Sequence, residues 1–484
     1  MSAEVRALEP RALWNYFADL NEVPRGSKKE EKVIEFMKSF GEGLGLETIV
    51  DEVGNIIIKK PASSGMEDRD IVALQSHIDM VHQKNADTDF DFDTQGIQMY
   101  IDGDWVKAKG TTLGADNGIG VAAIMTLLAS DDIPHPPLEA LFTIDEETGM
   151  TGAMGLKGGL LDSKVLLNLD TEEDDELTIG CAGGIDVSAL GKYEQENLNG
   201  DYLSYTVKVS GLTGGHSGTE IHLGRGNANK LMNRFLTGLS AVTELRIQNI
   251  DGGGLRNAIP RESVSKVAVL ANEVDKLENY ADRFNQILSA EYGTTDPDAN
   301  ITVELTNNSG QALNREFQKN ILRGIYACPN GIYRMSPDIE GLVQTSNNLA
   351  RVLIKDGSYE ILCLTRSSLD TEKFDEVRSI RSTFELIGAT VEEGGTYPGW
   401  KPKPEAAIVK IMQNLYKELH QKDAHVSAIH AGLECGILGT NYPEIEMISF
   451  GPNIRGAHSP DEKAQISSIQ KFWDYLLEIL KRTA

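Results

Sequence analysis

The sequence is poor in cysteine and contains no long hydrophobic run. Its four cysteines are widely spaced and form no Cys-x-x-Cys pair; they are Cys181, Cys328, Cys363 and Cys435. This spacing argues against a disulfide framework and against a cysteine-based zinc site. The most apolar stretch, near residues 120–129, is too short to cross a bilayer as a helix. The first residues lack the basic and then apolar pattern of a signal peptide, so we expect a cytoplasmic protein.

Basic residues are also scarce relative to acidic ones. The chain has 73 Asp and Glu against 46 Lys and Arg, which gives a formal net charge of −27. Nucleic acid and anionic membranes attract basic surfaces, so neither is an expected partner. The length of 484 residues predicts more than one domain.

The order of strand-like and helix-like segments predicts two domains. Up to residue 186 the two kinds alternate, which is typical of a largely parallel sheet covered by helices. From 187 to 397 the order becomes β-α-β-β-α-β, followed by a looser second copy, which is the ferredoxin-like split pattern. We therefore predict a doubly wound, mostly parallel α/β catalytic domain from residues 1–186 and 398–484. An inserted α+β lid domain of two ferredoxin-like halves would occupy residues 187–397.

Five short motifs rich in Asp, Glu and His follow apolar strand-like runs or begin a helix. In open α/β sheets, ligands bind beyond the carboxyl ends of the strands, so motifs from several strands can meet there. Carboxylates and imidazoles are also the side chains that bind hydrolytic metal ions. Together these motifs predict a two-metal site. They are His77-Ile78-Asp79, Gly114-Ala115-Asp116-Asn117-Gly118, Asp145-Glu146-Glu147, Asn168-Leu169-Asp170 and Ala457-His458-Ser459-Pro460.

Each motif also has a plainer interpretation. His77 and Asp79 lie on the same side of a strand, so Asp79 can accept the second ring N–H of a metal-bound His77, or both can simply end a strand. Asp116 lies in a glycine-flanked turn, where it can bridge two cations or cap a helix. The adjacent Glu146 and Glu147 repel each other, so they are either solvated or gathered around a cation. In the second case, one can bind metal while the other acts as a general base.

The inserted region carries further candidates. His216 lies in the glycine-rich segment 213–218, where it is either an exposed group facing substrate or part of a plain turn. Asn257 and Arg366 follow strand-like runs, and an Arg at such a place can hold a carboxylate or form an ordinary surface ion pair. Outside the inserted region, His430 in the segment 430–436 either lines the site or belongs to a turn around the buried Cys435.

Taken in order, these motifs resemble those of the co-catalytic zinc peptidases and deacylases, a family that includes carboxypeptidase G, the acylases and the carnosine dipeptidases. The similarity runs almost end to end. It rests on His-Ile-Asp-Met-Val, Leu-Gly-Ala-Asp-Asn-Gly-Ile-Gly, Asp-Glu-Glu-Thr-Gly, Gly-Gly-His-Ser-Gly and His-Ala-Gly-Leu-Glu-Cys-Gly.

The resemblance implies a site with two zinc ions, for which cobalt or manganese could substitute. In that site Asp116 bridges the two ions, Glu147 and His458 complete one of them, and His77 and Asp170 complete the other. The same resemblance gives roles to five further residues. Glu146 is the general base, Asp79 orients His77, His216 stabilises the oxyanion, Arg366 holds the substrate carboxylate, and Asn257 contacts substrate.

The activity that the resemblance implies is hydrolysis of unblocked dipeptides, including those with C-terminal His, by a homodimer associating through the lid domain. One alternative is an N-acyl amino-acid deacylase with the same metals. Another is a non-catalytic metal-binding protein, although Glu146 would then have no purpose. A cysteine hydrolase using Cys435 and His430 lacks a group to orient the histidine.

Overall fold

The computed structural model describes residues 3–307 and 310–483. Contacts within the chain divide it into two compact units. The first unit comprises Met1–Gly180, Trp400–Ala428 and Leu433–Ala484, and the second comprises Cys181–Gly399 and Ile429–Gly432. The short segment Ile429–Gly432, which contains His430, therefore belongs to the second unit, although the chain on either side of it belongs to the first.

An eight-stranded sheet forms the centre of the first unit. Four of its strands lie side by side and parallel, in the order Leu138–Thr143, Val72–His77, Val165–Asn168 and Glu446–Ser449. Beside them, Ile56–Lys60 pairs antiparallel with Leu138–Thr143, and Glu47–Val50 pairs antiparallel with Ile56–Lys60. This confirms the predicted α/β fold with a largely parallel central sheet.

Two of the parallel strands of the first unit are buried along their whole length, which explains the apolar runs 71–74 and 140–144. Every residue of Val72–His77 and of Leu138–Thr143 is buried. Because these strands run in the same direction, the segments that follow His77, Thr143 and Asn168 all leave the sheet at one edge.

The remaining elements of the first unit surround this sheet. Its helices are Arg11–Leu20, Glu31–Gly43, Ala115–Ala129, Thr151–Gly155, Ala407–His420, Glu434–Asn441 and Ile466–Arg482, with a 3-10 turn at Val5–Ala7. Its other strands are Met99–Asp102, Trp105–Ala108, Glu176–Cys181, His425–Ile429, Ile454–Arg455 and Lys463–Gln465.

The second unit is built on a nine-stranded sheet whose assigned pairs are antiparallel. Tyr202–Ser210 lies between Asn300–Thr306 and Ser263–Leu270, and Gly183–Lys192 lies between Ser358–Ser367 and Thr390–Tyr397. Its helices are Ala228–Leu239, Val274–Tyr292, Arg315–Ala327 and Asp370–Glu385, with 3-10 turns at Ile221–Leu223 and Ala271–Glu273. Its remaining strands are Gln195–Asn197, Gly215–His216, Arg246–Gly253, Ala258–Ile259, Gln311–Leu313, Gly331–Met335 and Val343–Lys355.

The helix Ala228–Leu239 shows how the sequence produces these elements. Asn227 precedes it, and its side-chain oxygen accepts the backbone N–H groups of Asn229 and Lys230 at 3.0 and 3.1 Å, which satisfies two donors that a helix start leaves unpaired. Leu231 and Phe235, one helical turn apart, are buried in the core of the unit. Among the helices of the described residues, none is long and apolar enough to cross a membrane.

Candidate metal centre

Asp116 lies between two histidines that are far apart in the chain. Its Oδ1 is 3.1 Å from Nε2 of His77, and its Oδ2 is 3.2 Å from Nε2 of His458. Each carboxylate oxygen thus faces a different imidazole. A carboxylate placed in this way can bind two cations, one through each oxygen.

Each histidine also faces a second carboxylate. Oε2 of Glu147 is 2.9 Å from Nε2 of His458, and Oδ1 of Asp170 is 3.4 Å from Nε2 of His77. The structure therefore brings together all five residues that the sequence analysis proposed as metal ligands. They form two groups, His77 with Asp116 and Asp170, and His458 with Asp116 and Glu147, and within each group the ligand atoms lie within 4.8 Å of one another.

The chemistry of these groups fits metal ions. Histidine nitrogen and carboxylate oxygen are suitable ligands for zinc and for cobalt or manganese. The second oxygen of Glu147 is buried and has no hydrogen-bond partner among the described residues. The site is also partly open to solvent, because the side chain of His458 is 55% exposed whereas that of His77 is 1% exposed.

The crowding of acidic groups perturbs their protonation. Hydrogen bonds that the carboxylates of Asp116 and Glu147 accept from His458 raise the pKa of His458 to about 11. Burial raises the pKa of Glu146 well above its ordinary value, and repulsion from Asp170 adds to the effect. Because so many carboxylates are buried close together here, positive charge is needed to offset their mutual repulsion and their loss of hydration.

Asp79 connects the first histidine to the acidic turn. Its carboxylate accepts the backbone N–H of Glu146 at 3.0 Å and that of Glu147 at 3.3 Å, and it accepts the hydroxyl of Ser27 at 2.8 Å. Its Oδ1 also lies 3.4 Å from Nδ1 of His77. Asp79 is therefore placed to orient the imidazole and to position the turn that carries the two glutamates.

Three buried charged residues near this centre were not singled out from the sequence. Glu434 accepts hydrogen bonds from Gln75 at 2.6 Å and Thr143 at 2.7 Å, and its burial raises its pKa to about 7. Arg25 and Glu462 contact the turn that carries Asp116. Glu434 lies within a motif already noted, but no local pattern marks Arg25.

In the second unit, Arg366 is a buried cation without a carboxylate partner among the described residues. It is 4% exposed, donates to the hydroxyl of Tyr397 at 2.9 Å, and lies 3.5 Å from Nε2 of His216. Its Nε has no hydrogen-bond partner among the described residues. A buried guanidinium in this state is suited to bind an anion such as a carboxylate.

His430 and Gly218 complete this group. Nε2 of His430 is 2.8 Å from the hydroxyl of Ser346, and burial, together with the charge of Arg366, lowers the pKa of His430 to about 3. A Cβ at position 218 would lie 2.1 Å from the carbonyl oxygen of His430, so only glycine lets the His216 loop approach this closely.

Asn257 lies beside the same loop. Its carbonyl oxygen accepts the N–H of Ser217 at 2.8 Å. The structure thus gathers His216, Asn257 and Arg366 of the predicted inserted region, together with His430 from the segment expected in the catalytic domain, within the second unit.

Comparison with known proteins gives a consistent result. The model of peptidase family M20/M25/M40 matches residues 73–482. The chain is 43% identical over 479 residues to the cytosol non-specific dipeptidase of Escherichia coli (strain K12), covering 99% of each chain. The crystal structure of aminoacylhistidine dipeptidase from Vibrio alginolyticus matches with a TM-score of 0.95 and 43% identity, covering 100% of this chain and 98% of that one. The aminopeptidase PepT from Bacillus cereus shares the fold alone, with a TM-score of 0.57 and 15% identity over 98% of each chain.

Proposed function

The chain belongs to peptidase family M20/M25/M40 and is a hydrolase of peptide bonds, and from that premise we propose that it is a di-zinc dipeptidase acting on unblocked dipeptides, including those with C-terminal His. The family predicted from the sequence motifs is thereby confirmed. The observation that supports a two-metal mechanism most strongly is the placement of the two oxygens of Asp116 against two different histidines.

In the proposed site, His77, Asp116 and Asp170 hold one ion, and Asp116, Glu147 and His458 hold the other. Bound zinc ions would supply Lewis acidity, making water nucleophilic near neutral pH and polarising the scissile carbonyl.

Glu146 is the proposed general base. Its carboxylate lies within 4.8 Å of ligand atoms of both His77 and Glu147, although Glu147 rather than Glu146 faces His458. Glu146 takes a proton from the attacking water and returns it to the leaving amine.

The residues of the second unit are proposed to recognise the substrate. Arg366 would bind the terminal carboxylate of a dipeptide, and His216 would stabilise the oxyanion of the tetrahedral intermediate. Asn257 and His430 would contact substrate beside them. The preference for Xaa-His substrates is supported by the name of the Vibrio relative.

We also propose that the enzyme is a cytoplasmic homodimer associating through the second unit. The strand Gly331–Met335 presents Ile332, Tyr333 and Met335 with 43, 50 and 41% exposure, an apolar group of the kind that protein interfaces cover. Light scattering on the purified protein would give the mass of a dimer, and charged residues at Ile332 and Met335 would shift it to that of a monomer.

The decisive experiment compares three substrates, carnosine, Ala-Ala and an N-acetyl amino acid, on metal-stripped protein before and after zinc is restored. We expect zinc-dependent hydrolysis of the two dipeptides and none of the acetylated compound. Hydrolysis of the acetylated compound alone would instead establish a deacylase, and metal binding without any hydrolysis would establish a non-catalytic protein.

A matched pair of variants tests the role of Glu146. Glu146→Gln should retain both metal ions and lose roughly 10²- to 10⁴-fold in kcat, which is the usual contribution of general acid–base catalysis. Glu173→Gln, at an exposed residue paired with Arg455, is the control and should be fully active. A Glu146→Gln protein that lost its metal together with its activity would contradict the assignment.

A further inference from the structure

Glu462 binds the backbone of the turn that carries Asp116. Its carboxylate is 2% exposed, and each of its oxygens accepts two N–H groups. Oε2 accepts from Leu113 at 2.7 Å and Gly114 at 2.9 Å, while Oε1 accepts from Ala115 at 2.7 Å and Asp116 at 3.3 Å. Both oxygens are therefore occupied by backbone hydrogen bonds, so Glu462 is placed to position the turn and not to bind a metal ion itself.

Arg25 contacts the same turn by donating hydrogen bonds to backbone carbonyl groups. The guanidinium is 1% exposed, and its Nη2 donates to the carbonyl of Gly114 at 2.6 Å. Its Nη1 donates to the carbonyls of Ile78 at 3.3 Å and Asp79 at 3.2 Å, directly after His77. A Cβ at position 114 would lie 2.4 Å from Nη2, and Gly114 has a φ of +70°, so glycine is required for this approach.

The two residues connect three segments that carry proposed ligands. Glu462 follows His458 by four positions, and the short loop between them is closed by the hydrogen bond from Glu462 N to Ser459 O at 3.0 Å. Glu462 thus joins the His458 loop to the Asp116 turn, while Arg25 joins that turn to the segment after His77.

We propose that Glu462 and Arg25 are positioning residues that hold Asp116 in place between His77 and His458, so that both metal ions can share its carboxylate. The inference rests on the proposed metal centre but assigns these two residues a role of their own. Charge-assisted hydrogen bonds, accepted by a buried carboxylate or donated by a buried guanidinium, fix backbone geometry more firmly than neutral ones. Buried groups around metal ligands typically contribute about 10- to 100-fold to metal affinity.

The test uses the full-length protein and the variants Glu462→Gln and Glu139→Gln. Glutamine keeps the shape of the side chain at position 462 but replaces one carboxylate oxygen with an NH₂ group. The two backbone N–H groups that this oxygen accepted are then left without an acceptor. Glu139 is a matched control in the same unit. It is also 2% exposed and accepts the N–H groups of Asp162 and Ser163, but it lies at the opposite end of its strand from the acidic turn.

The primary measurement is the dissociation constant for zinc and for cobalt, obtained by competition with a chromophoric chelator, together with the visible spectrum of the cobalt form. We expect Glu462→Gln to weaken metal binding by roughly 10- to 100-fold and to change the cobalt spectrum. Glu139→Gln should lower the thermal midpoint of the metal-free protein while leaving metal affinity within about twofold of the wild type. Arg25→Lys keeps the charge but loses the planar fork, and it should weaken metal binding in the same direction.

The possible outcomes are distinct. Unchanged metal affinity in both Glu462→Gln and Arg25→Lys would overturn the proposal, as would an equal loss in the Glu139→Gln control. If Glu462→Gln does not fold, Arg25→Lys decides the question by the same measurement. A wild-type protein that binds two ions but hydrolyses no dipeptide would refute the proposed function and leave the positioning role standing on the affinity data. A wild-type protein that binds no metal would refute both.

Discussion

Glu376 provides a quantitative prediction about the second unit. It lies in the helix Asp370–Glu385, is 1% exposed, and both its carboxyl oxygens are buried with no hydrogen-bond partner among the described residues. Burial, together with the nearby charges of Asp375 and Glu372, raises the pKa of Glu376 from 4.5 to about 8. The folded protein therefore favours the neutral acid, whereas the unfolded chain releases the proton near pH 4.5.

The sign of the effect follows from this difference. Because the folded pKa is the higher one, the stabilising contribution is fully present below pH 4.5 and is lost as the pH rises towards 8. Each pKa unit corresponds to 1.36 kcal/mol, so the loss has a ceiling of about 5 kcal/mol. Glu376→Gln removes the titrating group at nearly constant volume. Relative to the wild type, the variant should therefore gain stability as the pH rises from 5 to 9, by up to about 4 kcal/mol.

Scanning calorimetry at several pH values between 5 and 9 measures this as the difference in midpoint between variant and wild type. For a domain of 150 to 250 residues, 1 kcal/mol moves the midpoint by about 2 to 4 °C, so the predicted change is large. Glu372, one turn earlier, is the control. Despite partial burial, its pKa is lowered, because its carboxylate accepts from Gln344 and Thr345 and pairs with Arg334.

Glu372→Gln should accordingly lose stability relative to the wild type between about pH 5 and 7, where Glu376 is still protonated in the folded protein, with the opposite sign to Glu376→Gln. Midpoints of Glu376→Gln and wild type that stay parallel from pH 5 to 9 would refute the reasoning, since they would mean that Glu376 titrates alike in the folded and unfolded chains.

Three further predictions concern substrate recognition and local stability. Arg366→Met should reduce kcat/KM for Ala-Ala by roughly 10- to 150-fold, mainly through KM, since a hydrogen bond to a charged group contributes about 1.5 to 3 kcal/mol; an unchanged KM would exclude Arg366 from carboxylate binding. Gly218→Ala should lower kcat/KM without loss of bound zinc, because the new Cβ displaces the carbonyl of His430; steady-state kinetics with metal analysis would show this. Asn314→Ala should destabilise the protein by about 1 kcal/mol, because Asn314 accepts the N–H of Phe317 at 2.8 Å at a helix start. Asn314→Asp, which keeps the acceptor, should not.

The sequence determined those features that depend on neighbouring residues. The apolar runs 71–74 and 140–144 predicted buried parallel strands, and the acidic and histidine motifs directly after them were expected to meet at one edge of the sheet. The α/β fold was predicted from this order of elements, whereas the family and peptide-bond hydrolysis were implied by the resemblance of the motifs to a known family; all three are confirmed. His77, Asp116, Glu147, Asp170 and His458 come together in the structure, and their roles as ligands remain a proposal.

Only the tertiary structure showed which buried charged residues contact the segments of the candidate metal centre. The N–H groups that Glu462 accepts lie 346 to 349 positions away in the chain, and the carbonyl of Gly114 lies 89 positions from Arg25. Glu434 meets Gln75 across 359 positions. A buried charge is stable only where distant backbone or side-chain groups satisfy it, and those partners share no periodicity or spacing with it in the sequence. The candidate ligands can therefore be identified from short motifs, whereas the buried residues that contact those motifs are identified only once the chain is folded.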